Sequence, residues 1–119
     1  LDVDLHCDMS RSDVAGGECD LAVQLEPPAE GTAIVRHIGC LHLMPFAAES
    51  YLKVAGTPTS VDEWPNHKLV WQEADQVASY LLPFILGRSE VPGLISIRTN
   101  SSSAHFRAIA TGGGIGILP

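Results

Sequence analysis

The chain has 119 residues, room for one ordinary domain or a part of one and too few for several. Seven Lys and Arg stand against fourteen Asp and Glu, and the net charge of −7 repels phosphate backbones, so this stretch by itself is not expected to bind nucleic acid. A composition 45% hydrophobic and 18% charged belongs to folded chains, and the longest uncharged runs, such as Ala108 to Pro119, fall short of the ~18 residues that a membrane span needs.

Leu1 to Cys7 alternates strictly, with Leu1, Val3, Leu5 and Cys7 on one face and Asp2, Asp4 and His6 on the other, the pattern of a half-buried strand. Leu1 already lies inside that pattern and Pro119 directly follows an apolar run, so both ends read as cut from a longer unit. Ser10 is placed to cap a short helix, with Asp13 in a box-like position and Gly16-Gly17 to release the chain. Asp20 to Leu25 reads as a second strand. Pro27, Pro28 and Gly31 force a loop, and Ala33 to Phe46 is a long extended stretch interrupted only by Gly39.

Ala48, Tyr51, Leu52 and Ala55 fall at i, i+3, i+4 and i+7, Gly56 sits where a C-cap belongs and Pro58 follows, which predicts a helix. Ser60-Val61-Asp62-Glu63 has the form of a capping box, and Pro65 stops the turn early, leaving one short helix that carries Trp64 toward the core. Lys68 to Trp71 reads as a strand. Asp75 then caps a helix with apolar positions Val77, Leu81, Phe84 and Ile85, kinked or shortened at Pro83.

Leu94 to Arg98 alternates again, with Ile95 and Ile97 opposite Ser96 and Arg98. Thr99 to Ser103 supplies N-caps for a helix through Ala110, whose buried stripe is expected to be Phe106, Ile109 and Ala110. Gly112-Gly113-Gly114 ends it, and Ile115 to Leu118 is the last strand. Strands and helices that alternate in this way predict an α/β sheet with crossover connections.

Cys7, Cys19 and Cys40 are an odd number at wide spacing without a C-x-x-C, which argues against a disulfide scaffold or a zinc ribbon and points to a reducing compartment. His6 and Cys7 are neighbours on a strand and face opposite ways. Cys40 and His42 could share a face, but two donors do not make a metal site, so neither metal nor cofactor is expected. The glycine run lies between a helix and a strand, the reverse of a dinucleotide fingerprint. No G-x-S-x-G is present, and His105 reads as an exposed histidine beside capping serines, so no catalytic residue is nominated.

What remains is binding at strand-to-helix junctions. In open α/β sheets ligands sit beyond the carboxyl ends of strands, where helix N-termini present unpaired N–H groups. Cys7 to Ser10 and Thr99 to Ser102 are two such junctions, each rich in short polar side chains suited to a small anion or polar ligand. Capping alone explains the same Ser and Asn equally well.

Three segments resemble the effector-binding domain of LysR-type transcriptional regulators. Glu18-Cys19-Asp20-Leu21-Ala22-Val23 is similar to the family's Gly-x-Asp-Leu-Ala-Ile/Val strand. Ala47-Ala48-Glu49-Ser50-Tyr51-Leu52, with Gly56-Thr57-Pro58 and Trp64-Pro65-Asn66-His67 after it, resembles the Ala-Ser-Pro-x-Tyr-Leu, Gly-x-Pro, Asp-Leu-x-x-His run. Ala108 to Pro119, with Gly114-Ile115-Gly116-Ile117-Leu118-Pro119, resembles the closing Ala-x-x-Gly-x-Gly-Ile-Ala-x-Leu-Pro. Their order and spacing cover essentially the whole chain.

The resemblance implies an α/β, two-lobed fold of the periplasmic-binding-protein kind, with residues 1–39 as part of lobe I, residues 40–119 as lobe II, and Ala33 to Phe46 crossing between them. It implies a small-molecule effector, an anion among the candidates, in the interlobe cleft. DNA would be reached only through an N-terminal winged helix-turn-helix outside this stretch, in a cytoplasmic homodimer or homotetramer with no membrane partner and no enzymatic activity. By position, the effector-binding residues would be Cys7, Asp8, Ser10 and Gln24 in lobe I, Trp71, Gln72, Glu73, Thr99 and Asn100 in lobe II, and Leu118 at the hinge. The stretch lacks the family's first strand and helix of lobe I and the return segment after the closing proline, and its glycine run is richer than the usual pattern. A solute-binding protein of a transport system with the same fold is the alternative, and it predicts a signal peptide.

Overall fold

A computed structural model describes residues 1–8, 10, 12–25, 34–73, 87 and 91–119. Its regular elements are β1 (Met44–Phe46), α1 (Glu49–Ala55), a 3-10 helix (Val61–Asn66), β2 (Leu69–Gln72), β3 (Ile95–Thr99), α2 (Ser102–Ala110) and β4 (Gly116–Leu118). β2 and β3 pair in parallel with Val70 opposite Ile97 and Gln72 opposite Thr99, and the register shifts between Leu69 and Val70. β1 and β4 pair antiparallel, Pro45 opposite Ile117. One parallel bridge, Leu69 to Ile115, joins the two ladders: Val70 N–H donates to the Ile115 carbonyl and Ile115 N–H to the Lys68 carbonyl, each at 2.8 Å. Across the joined ladders the order is β3-β2-β4-β1.

The helices end where their sequences stop them. In α1 the Gly56 N–H closes on the Leu52 carbonyl at 2.9 Å, and Glu49 pairs with Lys53 one turn on. α2 starts at Ser101, whose hydroxyl accepts from the Ala104 N–H at 3.3 Å. At its other end Gly112 N–H donates to Ile109 and Gly113 N–H to Ala108, the paired bonds of a Schellman motif, with Gly112 at φ +90° where a side chain is disfavoured. Gly114, at φ +145°, lies so close to β2 that a Cβ there would run into the Lys68 carbonyl. The glycine run therefore turns the chain from α2 into the strand and lets that strand lie against β2.

The core is a buried cluster of Trp64, Leu69, Leu94 and Ile115, with Ala47, Tyr51, Val91 and Ile117 packed around it. Burying these side chains stabilises the fold by about 1.5–3 kcal/mol each. Tyr51 links α1 to the strand entrance: its hydroxyl accepts from the Lys68 N–H at 2.8 Å and lies 3.2 Å from His67 Nδ1. Since that oxygen accepts from the backbone, its own proton is free to go to the imidazole.

Several expectations are corrected. Leu1 to Cys7 and Asp20 to Leu25 form no strand, and Leu1, Val3, Leu5, Leu21 and Val23 are exposed. Alternation becomes a strand only with a ladder and a covering layer, and neither segment has one among the described residues. The helix expected after Ser10 is a turn at residues 14–17, because the Asp13 carboxylate takes the Gly16 N–H at 2.7 Å and so competes with helical bonding. Among the described residues of the long extended stretch, only Met44–Phe46 joins a sheet. The capping box at Ser60 is not made: Ser60 caps nothing with its side chain, and Glu63 accepts from the Thr59 N–H at 2.6 Å instead.

The inward face of α2 is rotated by one residue from the expected stripe. His105 and Ile109 are buried, Phe106 is 57% exposed, and the expected surface histidine is 2% exposed. A histidine can occupy that place because His105 Nε2 lies 3.1 Å from the Val70 carbonyl, which satisfies its polar atom. The loop at Pro27 to Gly31 and the helix expected after Asp75 lie outside the described residues.

Candidate functional site

β2 and β3 run in parallel and stop together, and α2 begins three residues after β3 ends, so their carboxyl edge and the first turn of α2 form one polar surface. The Glu73 N–H donates to the Thr99 carbonyl at 2.8 Å, tying the two exits to each other. Gln72 Nε2 donates to the Ser102 hydroxyl at 2.8 Å, tying β2 to the helix start. Thr99 Oγ1 accepts from the Ser101 N–H at 3.1 Å and holds the junction in its turn. Trp71 is half-buried beside these groups in sequence, and Asn100 is exposed between strand and helix.

Charge at this edge is balanced locally. Arg98 Nη1 donates to Glu73 Oε1 at 2.8 Å, and both side chains are more than half exposed, so the pair is worth roughly 0–1 kcal/mol in stability. Its greater effect is electrostatic, setting a cation and an anion side by side at the rim of the edge. The first turn of α2 carries no acidic residue to oppose the positive end of the helix.

Of the residues nominated from the sequence, the structure brings Trp71, Gln72, Glu73, Thr99 and Asn100 into this one edge. Leu118 stands on the same side of the sheet: it lies three residues beyond Ile115, as Gln72 lies three beyond the paired Leu69. In the first part of the chain the Asp8 carboxylate accepts from the Ser10 N–H at 3.1 Å, and Gln24 Nε2 donates to the Ser12 carbonyl at 3.1 Å. Asp8 and Ser10 are thus bonded to each other and Gln24 to Ser12, while Cys7 is exposed on an irregular segment.

Ser102, at the end of the nominated Thr99 to Ser102 junction, belongs to the edge, and so does Arg98, which was not singled out. Alternation placed Arg98 on one face of β3 but could not reveal its partner twenty-five residues earlier. A second concavity, an open groove of about 300 Å³, runs between Phe46, Leu52, Pro58, Val61, Trp64 and Ile115 and has no ionisable side chain in its lining. The edge offers amide, hydroxyl and N–H groups converging on a shallow surface, which is chemistry for holding a polar ligand. Among the described residues no three His, Cys, Asp or Glu side chains stand together as a metal site, and no helix is long and apolar enough to cross a membrane.

A protein of Xanthomonas campestris pv. campestris (strain 8004) named as an HTH-type transcriptional regulator is 31% identical over 68 residues, which are 57% of this chain. The match spans 20% of that protein's length. No solved structure matches the chain. The family model described as LysR substrate binding domain matches residues 1–119, from end to end of the sequence. With the closing glycine-rich turn, the parallel β2–β3 pair and the polar edge in place, the chain belongs to the LysR substrate binding domain family.

Proposed function

We propose that this chain is the effector-sensing part of a bacterial LysR-type transcriptional regulator and that its effector sits at the carboxyl edge of β2 and β3, against the first turn of α2. The observation that carries this reading is the Gln72 to Ser102 hydrogen bond beside the Glu73 to Thr99 tie, which presents side-chain and backbone polar groups toward one place. In the two-lobed arrangement, residues 1–39 belong to one lobe and 40–119 to the other. Cys7, Asp8, Ser10 and Gln24 then face Trp71, Gln72, Glu73, Thr99 and Asn100 across the cleft, with Leu118 at the hinge.

DNA is contacted by a separate winged helix-turn-helix in the parent protein, a cytoplasmic homodimer or homotetramer. The regulator named above supports that assignment, and the charge of −7 fits a sensor that needs no basic face of its own. The effector acts by differential affinity for two arrangements of the lobes or subunits, since a ligand that binds both equally shifts neither. The role is binding, with no catalytic step assigned.

The test is a thermal-shift screen of small organic acids, amino acids and neutral polar metabolites, followed by titration of the hits. Gln72→Ala and Asn100→Ala should each weaken a hit by about tenfold, the loss of one or two ligand hydrogen bonds. Unchanged affinity in both variants removes the site from this edge.

A further inference from the structure

The open groove between β1 and the 3-10 helix lies toward the other end of β2 from the polar edge. It reaches Ile115, which pairs with Leu69, three residues or about 10 Å of strand before Gln72, and no residue of the edge lines it. Trp64 and Ile115, 6% and 3% exposed, make its floor, and Phe46, Leu52 and Val61 stand around them. Its shape is set by the chain itself. The Gly56 N–H closes α1 on the Leu52 carbonyl, the ring of Pro58 fixes its own φ, and the Glu63 carboxylate holds the Thr59 N–H at 2.6 Å. At about 300 Å³ the groove is at the small end of ligand sites, and an apolar cavity of roughly half that volume takes up benzene.

We propose that this groove is a small-molecule site separate from the polar edge, and that it takes a neutral aromatic compound of one or two rings with a single hydrogen-bonding group. A charged ligand would shed water against a lining with no ionisable side chain to replace it, whereas an uncharged ring gives up little. Phe46 and Trp64 offer aromatic surface to such a ring. The one polar group of the ligand meets the exposed mouth, where Thr57 and Ser60 carry hydroxyls and the Ser60 side chain caps no backbone N–H.

The experiment is a calorimetric titration of the whole protein with indole, and with tryptamine and indole-3-acetate as the same ring bearing a positive or a negative charge. Indole should bind at one saturable site and each charged analogue at least about tenfold more weakly. Val61 is 43% exposed, so Val61→Asp sets a carboxylate in the lining without burying it in the core; it should weaken indole and reverse the order, with tryptamine binding the more tightly of the two. A merely loosened fold produces no such reversal. Phe46→Ala, at another half-exposed position, should weaken indole by about tenfold. Circular dichroism checks that both variants keep the fold. No saturable binding of indole, equal binding of the three compounds, an order that Val61→Asp leaves as it was, or an affinity that Phe46→Ala does not change overturns the proposal.

Discussion

His105 reaches from the buried face of α2 to the carbonyl oxygen of Val70 in β2, at 3.1 Å from its Nε2. A carbonyl only accepts, so Nε2 carries the proton and the imidazole is held in that tautomer. The bond falls at the register shift between Leu69 and Val70, where the β2–β3 ladder is irregular. Replacing His105 with Phe keeps much of the volume and removes the donor, so it should cost about 1–3 kcal/mol; His105→Gln, which keeps an N–H, should cost less. Urea denaturation of the two variants measures the difference, and equal losses would mean that volume alone matters there.

Gly112 and Gly114, after α2, should respond unequally to Ala. At Gly112 a Cβ meets chiefly the Ser50 hydroxyl, which can turn away, so Gly112→Ala costs mainly the left-handed backbone penalty of about 1–2 kcal/mol. At Gly114 the Cβ meets the Lys68 backbone, which is fixed by its bond to Ile115, so Gly114→Ala should be the more damaging of the two. Thermal melts of both variants give the order directly.

Tyr51→Phe removes the hydroxyl that accepts from the Lys68 N–H and reaches His67 Nδ1. His67 is buried, so its ring nitrogen loses its partner where water does not readily replace it. The expected loss is about 1–3 kcal/mol with little change in the ring packing on the core. Chemical denaturation of Tyr51→Phe beside His67→Ala and the double variant isolates the coupling between the two, which should be favourable and well above experimental error.

Arg98→Ala should leave stability nearly unchanged, within about 1 kcal/mol, because the ion pair with Glu73 is exposed. It leaves Glu73 unneutralised at the polar edge, so an anionic hit should bind more weakly and a cationic one more tightly. Titrations at low and at high salt check this: the difference should shrink as salt screens the carboxylate.

Much of residues 44–119 was legible because its signals are local. The spacing of Tyr51 and Leu52, the stop at Gly56, the caps at Thr99 to Ser103 and the glycine run each act within a few residues, and the elements they predict are there within a residue or two. The junction at Thr99 to Ser102 was legible for the same reason. The first part was misread because alternation at Leu1 to Cys7 and Asp20 to Leu25 records a preference for a sheet face, and a face needs partners that sequence order does not supply. His105 was misread because hydrophobicity assigned the inward side of α2, whereas a carbonyl thirty-five residues earlier was available to accept from an imidazole.

The seam between the two ladders is a single residue wide. Two amide bonds, at Val70 and Ile115, tie the β2–β3 pair to the β4–β1 pair directly, beside the packing of α2 across β2, β3 and β4. A seam so narrow leaves few backbone bonds to hold the polar edge and Leu118 in register with each other. Amide hydrogen exchange at Val70 and Ile115 therefore gauges how stiffly one half of the sheet follows the other.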